Sequence, residues 1–184
     1  MQIVRVFLWA FSILMIASVV SPLHAGAPAD DDTKLAQVIA MYAEYRKDFP
    51  TVDDIDAKAA AALYAEGKAQ FVDVRRPAEI AVSSLPGAID KQSFLQNRQA
   101  YQHKTVVVFC TISYRSGVFA RELADQGDRV VNLKGGILAW VLQGGRIEDQ
   151  KGETRRLHVY GPKWDLAPAD YETLTFGLLE RLTP

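Results

Sequence analysis

The rhythm of apolar and polar positions changes three times along the chain. From Val6 to Val20 (VFLWAFSILMIASVV) no residue is charged. At 15 residues, the run falls short of the ~20 that cross a bilayer and fits the roughly 7 to 15 of a signal-peptide core. Arg5 precedes it, Pro22 breaks it, and small residues follow at Ala25-Gly26-Ala27. Residues 1–27 therefore read as an export signal cleaved after Ala25 or Ala27, with an uncleaved anchor as the alternative. No Arg-Arg pair precedes the run and no cysteine lies near the cleavage site, which excludes twin-arginine export and a lipid anchor there. The expected destination is outside the cytoplasm: periplasmic in a bacterium, secreted otherwise, with no membrane contact after cleavage.

Residues 28–49 read as a linker and one amphipathic helix. After Asp30-Asp31-Asp32, the stretch Thr33 to Asp48 sets Leu35, Val38, Ile39 and Tyr42 at helical spacing, with acid ahead of it and Pro50 behind. From 50 to 146 short apolar strands alternate with helices. Asp56 caps an alanine-rich helix through Tyr64 that Gly67 closes, and Gln70 to Val74 is a strand. Thr105 to Phe109 is a second strand and runs into Cys110. A helix from about Arg115 to Gln126 carries Phe119 and Leu123 on one face and meets Gly127; a strand Arg129 to Leu133 follows, and Gly135-Gly136 opens a helix with Leu138 and Trp140. This alternation predicts an α/β domain with a parallel sheet covered on both faces. Residues 147–184 read as an extension: a charged linker Glu148 to Arg156, a strand Leu157 to Tyr160, Trp164, and a helix around Ala169 to Leu182. The segment is too short for its own core. It is expected to pack on the main domain through Trp164 or Tyr160, with docking to a partner as the other reading.

Composition narrows the function. The chain has 184 residues, 49% hydrophobic and 23% charged, which suits one globular domain with appendages. With 21 Lys+Arg against 22 Asp+Glu there is no basic field to attract phosphate backbones, so nucleic acid is not an expected partner. The single cysteine, Cys110, forbids an internal disulfide and a thiolate-rich metal site. No cofactor or metal is expected.

Ligands of open parallel sheets collect beyond the carboxyl ends of strands, and Cys110 stands at such an end. The loop Thr111-Ile112-Ser113-Tyr114 leads into a helix N-terminus, whose positive end together with Arg115 favours a thiolate without a histidine base. A lone cysteine ending an apolar strand can instead be a small buried hydrophobe. The polar strand-to-helix loop with its arginine favours the reactive reading. His103 and His158 lie far off in sequence, and the loop has no cysteine-protease signature, so both read as structural.

The stretch Cys110-Thr-Ile-Ser-Tyr-Arg115-Ser116 resembles the active-site loop of rhodanese-type sulfurtransferases. Two further blocks agree in order and spacing: Asp73-Val-Arg75 with Glu79 and Leu85-Pro86-Gly87-Ala88, and Gly135-Gly136 followed by Trp140. The resemblance spans about residues 50–146. It implies a rhodanese-like fold with a parallel sheet of about five strands, and a ping-pong reaction. Cys110 would take a sulfane sulfur from a donor such as thiosulfate, become a persulfide, and pass the outer sulfur to a thiophilic acceptor such as cyanide, a small thiol or a protein thiol. By position, Cys110 is the nucleophile, and the loop amides of Thr111, Ile112, Ser113, Tyr114 and Arg115 cradle the persulfide, with Arg115 adding charge. Asp73 and Arg75 match a family pair that either binds donor or is a structural ion pair. Glu79, Trp140 and the glycine pair are assigned to architecture. A monomer is expected.

Loop length separates this chemistry from phosphate chemistry. Cysteine phosphatases and arsenate reductases use C-x5-R, and this chain has C-x4-R. Three departures from the family pattern stand out. Ser113 replaces a common glycine, at a cost of about 1–2 kcal/mol if its φ is positive. The loop has one cation where members specialised for thiosulfate often have two. Ser83-Ser84 replace Gly-His, a change expected to touch only a surface bend. A persulfide carrier or interaction module with little turnover is therefore the rival to a sulfurtransferase.

Overall fold

The computed structural model describes residues 30–178 and 180. The apolar run Val6 to Val20 and the cleavage positions Ala25 and Ala27 lie outside the described residues. Among those described, no helix is long and apolar enough to cross a membrane.

Helix α1 (Asp31–Tyr45) starts at Asp30, whose carboxylate accepts from the Thr33 N–H at 2.7 Å and satisfies one free amide of the first turn. Helix α2 (Ala57–Ala65) is capped in the same way by Asp56. Five parallel strands, β1 (Asp54–Ile55), β2 (Ala69–Asp73), β3 (Ile89–Asp90), β4 (Thr105–Phe109) and β5 (Val130–Leu133), form one sheet in the order β1-β5-β4-β2-β3. β4 and β2 lie at its centre with every residue buried; β4 is apolar after Thr105, and in β2 the buried Gln70 amide is satisfied by donating to the Gly87 carbonyl at 3.0 Å.

Strand residues point alternately to opposite faces. Phe71, Val107 and Phe109 meet α2 and helix α6 (Gly136–Leu142), while Val72, Val106 and Val108 meet helix α4 (Lys91–Gln96) and helix α5 (Tyr114–Ala124). Helix α1 contributes to both cores, Val38 to the first and Tyr42 to the second. A short helix α3 (Pro77–Ile80) follows β2.

The extension differs from its sequence reading. The charged stretch 148–156 is no linker: β6 (Ile147–Asp149) and β7 (Gly152–Thr154) pair as an antiparallel hairpin. Each strand brings at most one apolar side chain to the core, so alternation was invisible, and the turn is held by Asp149 accepting from the Lys151 N–H at 2.7 Å. The helix expected around Ala169 to Leu182 is absent from 169–177. Instead β9 (Glu172–Leu174) pairs in parallel with β8 (Arg156–His158), and among the later described residues only 178 and 180 are helical. Thr173 and Thr175 favour extended backbone, and β8 supplies the ladder partners a helix would have found within itself. Leu157, Val159 and Ala167 are buried in the first core, so the extension shares the core of the sheet.

Candidate active site

Cys110 follows the last residue of β4, and the chain turns through Thr111 and Ile112 to Ser113 before α5 begins. Ser113 has φ 72° and ψ 9°, the left-handed conformation a glycine would adopt freely. Its strain is met by specific ties. The Ser113 hydroxyl donates to the Leu133 carbonyl, and the Asn132 side-chain amide donates to the Ser113 carbonyl at 3.0 Å. The serine thus anchors the loop to the end of β5, using the hydroxyl a glycine lacks.

The other side of the loop is fixed by α6. Ile137 N–H donates to the Cys110 carbonyl at 2.9 Å, and Leu138 N–H to the Thr111 carbonyl at 3.3 Å. Carbonyl and amide point in opposite directions across a planar trans peptide. Tying these two carbonyls to α6 therefore turns the following N–H groups, of Thr111 and Ile112, the other way. Among the described residues no protein acceptor takes a backbone N–H from Thr111 to Ser116. Such a cluster of open amides at a helix N-terminus suits an anionic sulfur.

Arg115, beside Cys110 in this loop, pairs with Glu79. Its two terminal nitrogens donate to the two carboxylate oxygens at 2.7 and 2.8 Å, and the Thr111 hydroxyl donates to the same carboxylate at 3.2 Å. Burial works against the charge on each partner. For Glu79 the bonds and charge of Arg115, with the Arg76 N–H, outweigh burial and hold its carboxyl below the usual carboxylate range. For Arg115 the Glu79 carboxylate and Cys110 outweigh burial, and the guanidinium stays charged. Glu79, assigned to architecture from the sequence, is completely buried and sits in the loop's charge network.

Cys110, Thr111, Ile112, Tyr114 and Arg115 line a pocket of about 260 Å³. Its remaining walls are Tyr45 from α1 and Tyr160 and Trp164 from the extension. Sequence spacing pointed to Tyr160 and Trp164 only as packing anchors and did not single out Tyr45. Tyr160 lies with its ring 5.0 Å from the Arg115 guanidinium. Cys110 itself is only 1% exposed.

Arg75 is not brought to this pocket. Its side chain is buried and bidentate on Asp73, at 2.9 and 2.7 Å, and it also donates to the Ser83 carbonyl at 2.5 Å. Of the two roles open in the sequence, the ion pair is the one observed. A larger open groove of about 1030 Å³ runs past Arg75, Ser84 and Lys91 and does not reach Cys110. Ser83 and Ser84 are no mere surface bend. Ser83 is fully buried with its hydroxyl on the Arg156 carbonyl, and the Ser84 hydroxyl donates to Asp73 at 2.7 Å. Ser84 braces the Asp73–Arg75 bridge through its hydroxyl and Ser83 through its backbone carbonyl, while the Ser83 hydroxyl ties this turn to the extension. His103 is exposed, and His158 is buried with Nδ1 accepting the Tyr160 N–H at 3.1 Å; neither lines the pocket.

The sequence model of the rhodanese-like domain matches residues 56–143. A protein described as a sulfurtransferase, from Allochromatium vinosum, is 34% identical over 98 residues, 50% of this chain and 92% of that protein. The crystal structure of thiosulfate sulfurtransferase from Pseudomonas aeruginosa superposes with a TM-score of 0.50 at 23% identity, over 73% of this chain and 26% of that one. The second likeness bears on the fold alone.

Proposed function

The chain belongs to the rhodanese-like family, and from that premise we propose that it transfers sulfane sulfur through a persulfide on Cys110. The observation that carries this reading is the set of open amides from Thr111 to Ser116 in the loop that leaves Cys110, fixed on one side by Ser113 and on the other by α6. With thiosulfate as donor, the Cys110 thiolate attacks the outer sulfur, and the sulfur–sulfur bond of the donor breaks with its electron pair leaving on sulfite. The enzyme keeps a persulfide whose charge the amides receive. An acceptor such as cyanide then attacks the outer sulfur, leaves as thiocyanate and restores the thiolate. Thr111, Ile112, Ser113, Tyr114 and Arg115 act here as the cradle and its charge, and Arg75 acts only through the Asp73 bridge.

Intact-mass measurement tests the reading. After incubation with a sulfane-sulfur donor the protein is expected to gain the mass of one sulfur atom and to lose it on adding cyanide, while Cys110→Ser gains nothing. A sulfur gain that persists in Cys110→Ser, or none in the wild type with any donor, overturns it. The carrier reading is favoured by one feature, the pairing of the pocket's cation with Glu79. It predicts stoichiometric loading without repeated thiocyanate release.

Export belongs to the same proposal and rests on the 15-residue apolar run and the small residues after it. Protein recovered from its native host is expected to begin after Ala25 or Ala27. Recovery of the intact leader in the membrane fraction would defeat it.

A further inference from the structure

We propose that the natural sulfur donor of Cys110 is an organic persulfide, R–S–SH, whose R group is flat and apolar, in preference to thiosulfate. The inference rests on the persulfide reading above and names its substrate class. Three features of the pocket carry it.

The first is the wall. Tyr45, Tyr114, Tyr160 and Trp164 converge on one cavity from three separate parts of the chain. Tyr45 and Tyr114 meet edge to face at 5.4 Å, as do Tyr160 and Trp164 at 5.5 Å, and the Trp164 indole N–H donates to the Tyr45 hydroxyl at 3.3 Å. Rings locked by one another offer apolar area at little further entropic cost on binding. A volume of about 260 Å³ lies below the roughly 300 Å³ at which drug-sized sites begin, which suits a single ring-sized group beside the sulfur.

The second is the strain that places one of those rings. Tyr160 has φ 68°, a conformation that costs a bulky residue of order 1–3 kcal/mol. It is held there by its N–H on His158 and by the Phe176 N–H on its carbonyl at 3.1 Å. The result is a phenol ring laid over Arg115 at the pocket wall.

The third is charge. Arg115 is the one cation among the lining residues; both its terminal nitrogens are on Glu79 and a ring covers its face. A dianion such as thiosulfate would give up water for a guanidinium already neutralised. An organic persulfide carries at most one charge, which the loop amides can receive, and with an apolar R group it gives up far less. In the step, the Cys110 thiolate attacks the terminal sulfur of R–S–SH, the R–S to S bond breaks, and R–S⁻ leaves with the electron pair. The terminal sulfur arrives with its proton, as Cys110–S–SH; passing that proton to R–S⁻ or water leaves the anion that the amides receive, and no oxidant or reductant is consumed.

Thiosulfonates make stable probes, because R–SO₂–S⁻ delivers its outer sulfur by the same displacement and releases a sulfinate. The experiment measures the rate of sulfur loading on Cys110 by intact mass with benzenethiosulfonate, methanethiosulfonate and thiosulfate. Each rate is divided by that of a free small thiol with the same donor, which removes intrinsic reactivity. Normalised loading is expected to run benzene over methane over thiosulfate. Trp164→Ala is expected to cut the benzene-to-methane ratio about tenfold, Tyr45→Ala to cut it less, and Trp164→Phe to keep most of it. Wild-type protein that loads from thiosulfate at least as well as from benzenethiosulfonate overturns the inference without needing any variant to fold. So does a ratio unmoved by Trp164→Ala or Tyr45→Ala. Both results leave the persulfide reading standing, whereas no loading from any of the three donors overturns the two together.

Discussion

Glu79→Ala is expected to destabilise the protein by about 3 kcal/mol and to abolish sulfur loading. Removing one partner of a buried ion pair typically costs roughly 3–5 kcal/mol, because the remaining charge keeps its desolvation penalty and loses its compensation. Arg115 is 31% exposed in its side chain, which places the effect at the lower end of that range. Three donors besides the second Arg115 nitrogen lose an acceptor as well: the other Arg115 nitrogen, the Thr111 hydroxyl and the Arg76 N–H. Thr111 belongs to the cradle, so the loss reaches Cys110. Urea denaturation and intact mass after donor treatment measure the two effects, and a Glu79→Ala protein as stable as wild type would refute the account.

Acid should act on the same pair. The Glu79 carboxyl is held below its ordinary value of 4.5 in the folded protein, so its stabilising contribution is complete above that pH and disappears as pH falls through the folded value. The stability gap between wild type and Glu79→Gln is therefore expected to be constant near neutrality and to shrink below about pH 4.5. A gap that does not change with pH would remove the carboxylate charge from the explanation.

Position along the chain decided which parts of this architecture could be read in advance. β2, β4 and β5 are visible because an inner parallel strand buries both faces and is mainly apolar, with few polar positions such as Gln70 and Asn132. β1 and β3 are two residues each, Asp54–Ile55 and Ile89–Asp90, and a single isoleucine in each leaves no period to detect. Cys110 and Arg115 are close in sequence, so the loop joining them marks Cys110 as a candidate nucleophile without help from the fold. Glu79 is 36 residues from Arg115, and only the sheet order that sets β2 beside β4 brings them into contact. Tyr45 is more distant still. It ends a helix whose apolar spacing is satisfied by Val38 and Tyr42, so nothing local marks it as a pocket wall. The extension misled for a related reason: its leucines and tyrosines have no strict period, and the pairing of β8 with β9 is decided by a strand partner that local propensity does not see.

The second large effect is expected at Gly136, whose role goes beyond the architectural one its motif suggested. Its φ is +61°, and a Cβ added there would stand 2.3 Å from the Cys110 carbonyl oxygen and 2.8 Å from the Thr111 carbonyl. Both obstacles are backbone and cannot rotate aside. These are the carbonyls that α6 grips through Ile137 and Leu138, so relief must come from pushing the loop away from α6. The amides of Thr111 and Ile112 would then lose the direction that the planar peptide gave them. Strain of about 1–2 kcal/mol and overpacking of about 1–3 kcal/mol place the cost of Gly136→Ala at about 2–5 kcal/mol. A displacement of this kind can lower a rate by about a hundredfold, and sulfur loading is expected to fall on that scale. Gly144→Ala separates geometry from strain. Its φ is +80° with nothing within 4 Å of the added Cβ, so it should lose only about 1–2 kcal/mol and load sulfur as wild type does. Equal loading by the Gly136→Ala and Gly144→Ala proteins would show that α6 does not set the cradle around Cys110.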